Sequence, residues 1–516
     1  MKDQEKSGGI VILDFGSQYT QLIARRVREF EVYSEILPWN SPMERVFESR
    51  PRGIILSGGP RSTVGPDAPG IDPSMLDGRV PVLGICYGMQ LIAHTLGGRV
   101  ERGKLGEYGR TRVTFDPPDA SAMIKGLPGS IDVWMSHWDE VVSLPAGASR
   151  FASSESGACA AFSMADGRVQ GLQFHPEVQS TEHGCEMLSG FVFDICGATA
   201  NWRLGDWVGR AMRGISDAVG AGDRVVCGLS GGVDSTVAAV LVSKVLGDRL
   251  ECIFVDHGFM RKDEPAQVLD MYGRLNLRVR HVEASGRFLE ALSGVTNPER
   301  KRKIIGEQFI RVFEDEARGL ADAKWLLQGT IYPDVIESGS AGGDVIKSHH
   351  NVGGLPEKMN MKLLEPLREL FKDEVRRIGP MLNIPEHFLK RHPFPGPGLA
   401  VRCIGPLERE RLDTLREADA IFVSEIRSAG LYDSIWQAFC VLLPVRSVGV
   451  AGDVRTYGET VALRAVSSLD AMTAESVRLP WEVIDRTARR ICGEVPGVGR
   501  VVMDVTGKPP STIEWE

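Results

Sequence analysis

The sequence predicts an α/β protein with two successive three-layer α/β domains, whose sheets are mainly parallel, and a smaller C-terminal α/β domain. Three observations support this fold class. Apolar strand-like runs alternate with helix-like runs from the first residues onward. The alternation starts again near residue 224. The chain has 516 residues, which is enough for about three domains of ordinary size.

The first section, residues 8–198, has strands that are apolar along their whole length. Such strands are typical of parallel sheets covered by helices on both faces. The predicted elements are strands at 9–13, 53–56 and 80–85, a helix over 18–30, a hairpin with strands at 159–162 and 169–174, and a linker at 197–201. The hairpin is predicted because Asp166-Gly167 favours a tight turn.

The second section, residues 200–391, repeats this alternation, and a third section covers residues 392–516. The predicted elements are strands at 224–228, 250–255, 279–283 and 324–328, a helix near 298–317, and strands near 447–451, 460–466 and 500–505. The boundary at 392 rests on residues 392–398, where three prolines in five residues exclude a helix and a central strand. Residues 338–343 are expected to be mobile, and residues 347–354 are expected to form a lid.

Composition and charge exclude several classes of protein. The hydrophobic share is 43%, and 60 basic against 68 acidic residues give a net charge of −8, which argues against nucleic-acid binding. No apolar run reaches the roughly 18 residues of a membrane span, and the charged start has no signal-peptide pattern. Nine scattered cysteines without a C-x-x-C pair predict neither disulfides nor zinc. We therefore expect a cytoplasmic protein without nucleic-acid or membrane partners.

A glycine-rich turn after the strand at 224–228 predicts a phosphate-binding loop. It consists of Ser230, Gly231, Gly232, Val233, Asp234, Ser235 and Thr236. Glycines let the main chain approach an anion, and unpaired N–H groups at the N-terminus of the following helix point at it. Asp234 would repel phosphate unless Mg²⁺ lay between them, so we predict Asp234 to be a magnesium ligand. A capped helix after a glycine turn is the alternative without a ligand.

The loop resembles the S-G-G-x-D-S loop of the ATP pyrophosphatase family. The chain has no Walker A sequence, which requires a lysine after the second glycine. The resemblance implies that ATP is cleaved between its α- and β-phosphates to give AMP and pyrophosphate. ATP and Mg²⁺ are thus the expected cofactors, with no tightly bound organic group.

Cys86 directly follows the apolar strand at 80–85 and precedes a helix-like run. Residues 84–88, G-I-C-Y-G, have the form of a nucleophile elbow with cysteine in place of serine. Such a turn exposes the sulfur, and the N-terminus of a helix stabilises a thiolate. A buried structural cysteine is the alternative, and the flanking glycines argue against it.

A thiolate nucleophile needs a base, and the base needs an orienting group. His175 is followed by Pro176 and Glu177, near the end of a predicted strand. Pro176 favours an extended conformation of His175, and side chains two positions apart in an extended chain lie on the same side. We therefore expect Glu177 to contact the His175 ring and fix its tautomer. The alternative is a surface histidine beside a proline turn.

The first section resembles the class I glutamine amidotransferase family. The shared motifs are S-G-G-P at 57–60, G-I-C-Y-G-M-Q at 84–90 and H-P-E at 175–177. The resemblance implies that Cys86 attacks the side-chain amide of glutamine, His175 moves the proton and Glu177 holds the histidine. The N–H groups of Gly59 and Tyr87 are the expected oxyanion donors. Glutamate and ammonia are then the products.

The whole chain resembles the GMP synthetase (glutamine-hydrolysing) family. The motifs are V-D-H-G at 255–258, K-R-K-I-I-G at 301–306, Q-G-T-I-Y-P-D at 328–334, residues 347–356 and 392–399, and G-K-P-P-S-T-I-E-W-E at 507–516. The resemblance implies that XMP is adenylylated at its 2-oxygen with release of pyrophosphate. Ammonia then displaces AMP to give GMP.

The same resemblance implies contacts between XMP and Arg302, Lys508, Ile513 and Glu514. The lid residues at 347–350 are further candidates. We expect the 508–516 tail to be docked, because a tryptophan such as Trp515 is costly to expose. The resemblance also implies that the third section forms a homodimer. The expected partners are therefore glutamine, ATP, XMP and a second copy of the chain.

Two other functions fit part of the sequence. Another glutamine-dependent adenylylating amido-ligase would share both catalytic motifs, but the 508–516 tail favours a purine nucleotide as acceptor. A non-catalytic sensor of glutamine or nucleotide would be favoured by the loss of Cys86 or Asp234, and both residues are present.

Overall fold

A computed structural model describes residues 7–516 except 66, 118–119, 321, 340–360, 452, 469–472 and 509. The chain divides into two compact units, Met1–Arg203 and Leu204–Glu516. Both units have the predicted α/β fold. In the part of the chain that the structure describes, every helix is too short or too polar to cross a lipid bilayer.

The first unit is built on one mixed sheet. Its strands are β1 (Ile10–Asp14), β2 (Ser34–Pro38), β3 (Gly53–Leu56), β4 (Val82–Ile85), β5 (Arg99–Phe115), β6 (Ser130–Ser143), β7 (Ser149–Ser154), β8 (Cys159–Met164) and β9 (Val169–Leu172). They lie in the order β2-β1-β3-β4-β9-β8-β7-β5-β6, parallel from β2 to β9 and antiparallel beyond. The helices are α1 (Thr20–Glu29), α2 (Met43–Phe47), α3 (Tyr87–Thr95) and α4 (Gly184–Ser189), which continues as a π-helix over Gly190–Ile195.

The parallel half of this sheet matches the prediction. β3 and β4 are buried at every position, as strands covered on both faces must be. The predicted hairpin is confirmed as β8 and β9, with positive φ at Asp166 and Gly167. The other antiparallel strands, β5 to β7, were not predicted, although β6 alternates buried and more exposed positions from Ile131 to His137, which is the two-residue period of a half-buried strand.

The predicted linker at 197–201 is held against the first unit. The Asn201 side chain accepts a hydrogen bond from the Tyr33 N–H at 3.1 Å and donates one to the Ser7 carbonyl at 3.0 Å. The next residue, Trp202, is buried and lies under the Arg28 guanidinium, 3.9 Å from the ring centroid. The end of the first unit is therefore packed rather than loose.

The second unit contains a parallel sheet and a smaller, mostly antiparallel one. The parallel strands are β10 (Arg224–Leu229), β11 (Leu250–Asp256), β12 (Val279–Glu283), β13 (Ala323–Leu327) and β14 (Lys362–Leu364), in the order β12-β11-β10-β13-β14. The helices along this part of the chain are α5 (Leu204–Ala218), α6 (Val233–Leu246), α7 (Glu264–Arg274), α8 (Ser285–Ala291), α9 (Pro298–Ala317), α10 (Tyr332–Gly339), α11 (Lys372–Ile378) and α12 (Glu386–Leu389). The predicted strands of the second section and the predicted helix at 298–317 are confirmed to within one residue at each end.

The smaller sheet consists of β15 (Gln437–Ala451), β16 (Val454–Ser467), β17 (Glu475–Ser476) and β18 (Val498–Asp504), with α13 (Arg409–Ser428) and α14 (Trp481–Glu494). β15 and β16 form a long antiparallel hairpin, and β18 lies parallel to β16. The predicted strands at 447–451 and 460–466 are the ends of longer strands. The prediction missed their other halves.

The core of the second unit extends across residue 392. One cluster of buried side chains contains Val226 and Ile253 of the parallel sheet together with Leu399, Leu442 and Leu463. Residues 392–397 are neither helix nor strand, as predicted, and a 3₁₀ turn follows at Gly398–Val401. The division into domains at 8–198, 200–391 and 392–516 stays a prediction.

Candidate functional sites

Cys86 lies in a tight turn between β4 and α3. Its backbone has φ 52° and ψ −107°, a region that side chains other than glycine rarely adopt. A Cβ atom on Gly84 would lie 2.5 Å from the Gly88 carbonyl carbon, and one on Gly88 would lie 2.3 Å from the Leu56 carbonyl oxygen. The two glycines therefore allow the helix to approach the sheet, and this packing holds the strained turn.

Cys86, His175 and Glu177 are in contact and almost fully buried. Oε1 of Glu177 lies 2.7 Å from Nδ1 of His175. The Cys86 side chain lies close enough to the same ring to influence its pKa. Because Nδ1 is taken by the carboxylate, Nε2 is the nitrogen available to the sulfur.

The electrostatics of this site favour a charged histidine. Burial alone lowers the pKa of His175, but the Glu177 carboxylate and the Cys86 side chain outweigh it and hold the pKa well above its ordinary value. A cationic imidazole beside a sulfur atom stabilises the thiolate. The arrangement can therefore supply a nucleophile and a proton donor together.

Four further residues hold the main chain and the ring of His175. The Thr181 hydroxyl donates a hydrogen bond to the His175 carbonyl at 2.6 Å, and the His175 N–H donates one to the Trp134 carbonyl at 3.1 Å. The Tyr19 ring meets the imidazole edge-on at 5.0 Å between centroids. A Cβ atom on Gly58 would lie 3.2 Å from the imidazole Cε1. Gly58 belongs to the S-G-G-P motif at 57–60, whereas no motif in a single sequence points to the contacts of Tyr19, Trp134 and Thr181.

The two predicted oxyanion donors flank the turn. Tyr87 is the first residue of α3, so its N–H has no partner within the helix. Gly59 follows β3, which is the neighbour of β4 in the sheet. Among the described residues, neither N–H donates a hydrogen bond. Both donors are thus available to a ligand.

The predicted phosphate loop connects β10 to α6 in the second unit. Gly231 has φ 76°, and Gly232 is the N-cap residue of α6. The Thr236 hydroxyl donates to the Gly232 carbonyl at 2.8 Å, and the Gly232 N–H donates to the Ser230 hydroxyl at 3.3 Å. Ser230 and Gly232 are exposed. The loop is therefore shaped by its own short-range bonds and open on its outer side.

Asp234 has one carboxylate oxygen without a partner. Its Oδ1 is buried and, among the described residues, accepts no hydrogen bond, while Oδ2 lies 3.5 Å from Nζ of Lys372 in α11. A carboxylate oxygen held in this way suits a hard cation such as Mg²⁺. The sequence analysis missed Lys372, because nothing near it in the chain marks it as a neighbour of the loop.

A cavity of about 330 Å³ opens at the carboxyl ends of β11 and β12. Met260, which lines it, lies 3.1 Å from where a Cβ atom of Gly231 would be, so the cavity adjoins the phosphate loop. Its charged lining residues are Asp256, Arg261, Lys262, Asp263, Glu283, Arg409 and Arg416. Ligands of open parallel sheets bind at this edge. The carboxylates of Asp256 and Glu283 and the His281 ring also lie within 4.8 Å of one another there.

The predicted XMP contacts lie on and beside the 508–516 tail. Lys508 pairs with Ala474 through both main-chain groups, at 2.7 and 3.0 Å. Ile513 is buried against a cluster that includes Phe439. The Glu514 carboxylate accepts two hydrogen bonds from Arg402, at 2.8 and 3.0 Å. Arg302 donates to the Glu516 carbonyl.

Buried cations dock the tail. Lys301, Arg402 and Arg464 have side chains with no exposed surface, and they bind Glu516, Glu514 and the Thr512 carbonyl respectively. The expectation that indole burial docks the tail is wrong, because Trp515 is 41% exposed. The expected lid at 347–354 lies outside the described residues. So does the expected mobile stretch at 338–343, apart from its first two residues, which end α10.

Three family profiles match successive parts of the chain. They are glutamine amidotransferase class-I at residues 11–195, NAD synthase at 210–304 and the GMP synthase C terminal domain at 424–515. Fold, sites and profiles together define a glutamine amidotransferase joined to an ATP-using α/β unit.

Curated relatives match almost the full length. GMP synthases (glutamine-hydrolyzing) of Symbiobacterium thermophilum and Aquifex aeolicus are 56% and 54% identical, each covering 98% of this chain and 99% of their own. That of Lactobacillus acidophilus is 52% identical over the whole of both chains. A solved glutamine amidotransferase structure from Thermotoga maritima is 25% identical and covers 33% of this chain and 76% of its own, with a TM-score of 0.28. The chain belongs to the GMP synthase (glutamine-hydrolyzing) family.

Proposed function

We propose that this family member makes GMP from XMP as an ATP-dependent ligase that takes its nitrogen from glutamine. The observation that carries the proposal is that one chain holds both parts of such a reaction. The Cys86, His175 and Glu177 contact suits amide hydrolysis, and the loop at 230–236 suits binding of ATP phosphates.

In the glutaminase reaction, the Cys86 sulfur attacks the side-chain amide carbon of glutamine. The N–H groups of Gly59 and Tyr87 bind the oxygen that becomes negative. His175 gives its Nε2 proton to the leaving ammonia, and then takes a proton from the water that hydrolyses the thioester. Glu177 keeps the ring oriented and favours its cationic form. Glutamate and ammonia leave.

In the synthetase reaction, the N–H groups of the 230–236 loop hold the ATP phosphates at the N-terminus of α6. Asp234 is the residue that would hold Mg²⁺, which when bound neutralises charge on the departing pyrophosphate. The XMP 2-oxygen attacks the α-phosphorus, and pyrophosphate leaves. Ammonia then attacks the purine carbon, and AMP departs with the oxygen.

XMP is proposed to bind beside the tail, in contact with Arg302, Lys508, Ile513 and Glu514. The support is their docked position: a carboxylate held by a buried guanidinium can accept hydrogen bonds from a purine at a fixed point. Lys508 offers a positive charge for the phosphate. The cavity beside the phosphate loop is proposed to take part of ATP.

A homodimer is proposed through the long hairpin of the smaller sheet. Val448, Val450 and Tyr457 of this hairpin are at least half exposed, and Val505 after β18 is 72% exposed. An apolar patch of this kind is more often covered by a partner than left in water. Light scattering should give twice the chain mass, and a Val450→Lys variant should shift toward the monomer. A monomeric wild type would contradict the proposal.

A cytoplasmic location is proposed as well. All nine cysteines are free thiols, and seven of them are buried. Free thiols on this scale fit a reducing compartment.

The test of the function is a product analysis with ATP, glutamine and a panel of acceptors. With XMP, we expect GMP, AMP, pyrophosphate and glutamate in equal amounts. Formation of ADP and orthophosphate, or amination of a carboxylic acid in place of XMP, would contradict the proposal. The second result would favour another amido-ligase.

A further inference from the structure

The first unit contains a second buried histidine and carboxylate pair, separate from His175 and Glu177. His137 of β6 and Glu107 of β5 stand directly opposite each other in the antiparallel ladder. Nε2 of His137 lies 3.1 Å from Oε2 of Glu107, and the histidine is only 7% exposed. Nothing in the proposed glutaminase chemistry uses this pair.

Both ring nitrogens of His137 have a hydrogen-bond partner. Nδ1 lies 3.0 Å from the Asp139 carbonyl, which can only accept, so Nδ1 must carry a proton. A hydrogen bond from His137, opposed by burial and reinforced by Ser154 and Ser156, lowers the pKa of Glu107 to about 2. Glu107 is therefore ionised and can also only accept. Both ring nitrogens of His137 are therefore engaged by oxygen atoms of the protein.

The segment that His137 occupies touches the nucleophile and its helix. The carbonyl of Ser136 lies 3.8 Å from the Cys86 sulfur. The Asp139 carbonyl, which accepts from His137, also accepts from the Gln90 side chain of α3 at 2.8 Å. Residues 136–139 therefore contact both Cys86 and the helix that begins after it.

The strand ladder is irregular at this segment. The register between β5 and β6 shifts between Arg102 and Glu107, so the ladder is interrupted opposite the segment. Such irregularities re-aim side chains next to active sites, and they need other bonds to hold them. The Glu107 carboxylate supplies these bonds, because its second oxygen accepts from the Ser154 and Ser156 hydroxyls at 2.8 Å each.

We propose that His137, held by hydrogen bonds to Glu107 and to the Asp139 carbonyl, is a positioning residue of the glutaminase site. Its two hydrogen bonds fix residues 136–139 against Cys86 and Gln90. The inference rests on the proposed role of Cys86 as the nucleophile. A positioning role predicts an effect on the use of glutamine alone. A general contribution to stability would change the activity with glutamine and with ammonium alike.

The test compares Glu107→Ala, Glu107→Gln and the matched control Glu101→Gln, which changes an exposed carboxylate of the same strand. Glu107→Ala removes the bond to Nε2, and kcat/KM for glutamine should fall about 10- to 100-fold. GMP synthesis from added ammonium should stay within about 2-fold of the wild type. The Glu107→Gln side chain can still hydrogen-bond Nε2, so this variant should restore most of the glutamine activity.

A spectroscopic measurement accompanies the kinetics. Proton NMR should show the hydrogen-bonded Nδ1 proton of His137 in the wild type and in Glu107→Gln, and its displacement or loss in Glu107→Ala. Unchanged glutamine kinetics in Glu107→Ala, or equal losses with glutamine and ammonium, would each overturn the inference. Cys86→Ala is measured in parallel. If Cys86→Ala still uses glutamine, the proposed nucleophile has failed; if only Glu107→Ala behaves as wild type, this inference alone has failed.

Discussion

The two candidate sites differ in how complete they are without ligands. In the glutaminase site, Cys86, His175 and Glu177 are buried and already in contact. In the ATP loop, Ser230 and Gly232 are exposed, and Asp234 keeps a carboxylate oxygen without a hydrogen-bond partner among the described residues. The first site is thus assembled from protein groups alone, whereas the second leaves groups open to the proposed nucleotide and cation. Damage to the first should affect one nitrogen source, and damage to the second should affect both.

The largest effect is expected for Cys86→Ala. Without the sulfur there is no acyl intermediate, so glutamine-dependent GMP formation should fall by a factor on the order of 10⁴ or more. Synthesis from ammonium should continue at nearly the wild-type rate, because the ATP loop is untouched. The measurement is initial velocity of GMP formation with each nitrogen source. Cys185→Ala, at an exposed thiol, is the control. Loss of both activities in Cys86→Ala would contradict the independence of the two sites.

The next effect is expected for Asp234→Asn. The amide keeps the shape but loses the charge that would hold the cation, so pyrophosphate release should fall roughly 10²- to 10³-fold with either nitrogen source. Pyrophosphate release at varied Mg²⁺ concentration measures this. Asp248→Asn, at an exposed carboxylate after α6, should behave as the wild type. Unchanged Mg²⁺ dependence in Asp234→Asn would show that Asp234 does not hold the cation.

Glu177→Gln tests whether the carboxylate raises the pKa of His175. Removal of the carboxylate leaves burial as the main influence on His175, so its pKa should fall. Glutamine hydrolysis should slow about 10²-fold while use of ammonium is spared. An NMR titration of the His175 ring measures the change. A pKa of His175 that stays high in this variant would show that Glu177 is not its cause.

The same substitution has a consequence for stability against pH. Because the pKa of His175 is raised in the folded protein, its contribution to stability is complete below the ordinary value of 6.5. It is lost as the pH rises through the higher folded value. Glu177→Gln should therefore flatten this alkaline decline in the free energy of unfolding, measured by denaturant titration at several pH values.

The smallest effect is expected for Lys508→Ala. Loss of one phosphate contact should raise the KM for XMP about 10-fold and leave the KM for glutamine unchanged. Lys390→Ala, at an exposed lysine, is the control. Equal changes in both KM values would mean that Lys508 acts through the fold.

The sequence predicted the parts whose signal is local. Fully apolar strands such as β3 and β4, the elbow at Cys86 and the contact between His175 and Glu177 each depend on residues close together in the chain. The family resemblance is confirmed by relatives that match almost the full length. The roles of the site residues remain predictions.

Contacts between distant segments were beyond local patterns. Lys372 near Asp234, Glu107 beside His137 and Arg402 against Glu514 join residues 30 to 138 positions apart. A single sequence gives no period or motif that would pair them. The expectation that Trp515 docks the tail was wrong for the same reason. The cations that hold the tail lie far from it in the sequence, in α9 and at residues 402 and 464.

The buried cations beneath the tail tie substrate recognition to the integrity of the second unit. Lys301 and Arg402 are wholly enclosed, and their carboxylate partners are Glu516 and Glu514. If a protease removed these few residues, Lys301 and Arg402 would remain buried without their carboxylate partners. The free energy of unfolding would then fall by several kcal/mol, as an order of magnitude. The same cut would remove the proposed nucleotide contact. Loss of the tail would therefore weaken XMP binding and lower the stability of the second unit together. Truncated copies would unfold instead of continuing to use ATP.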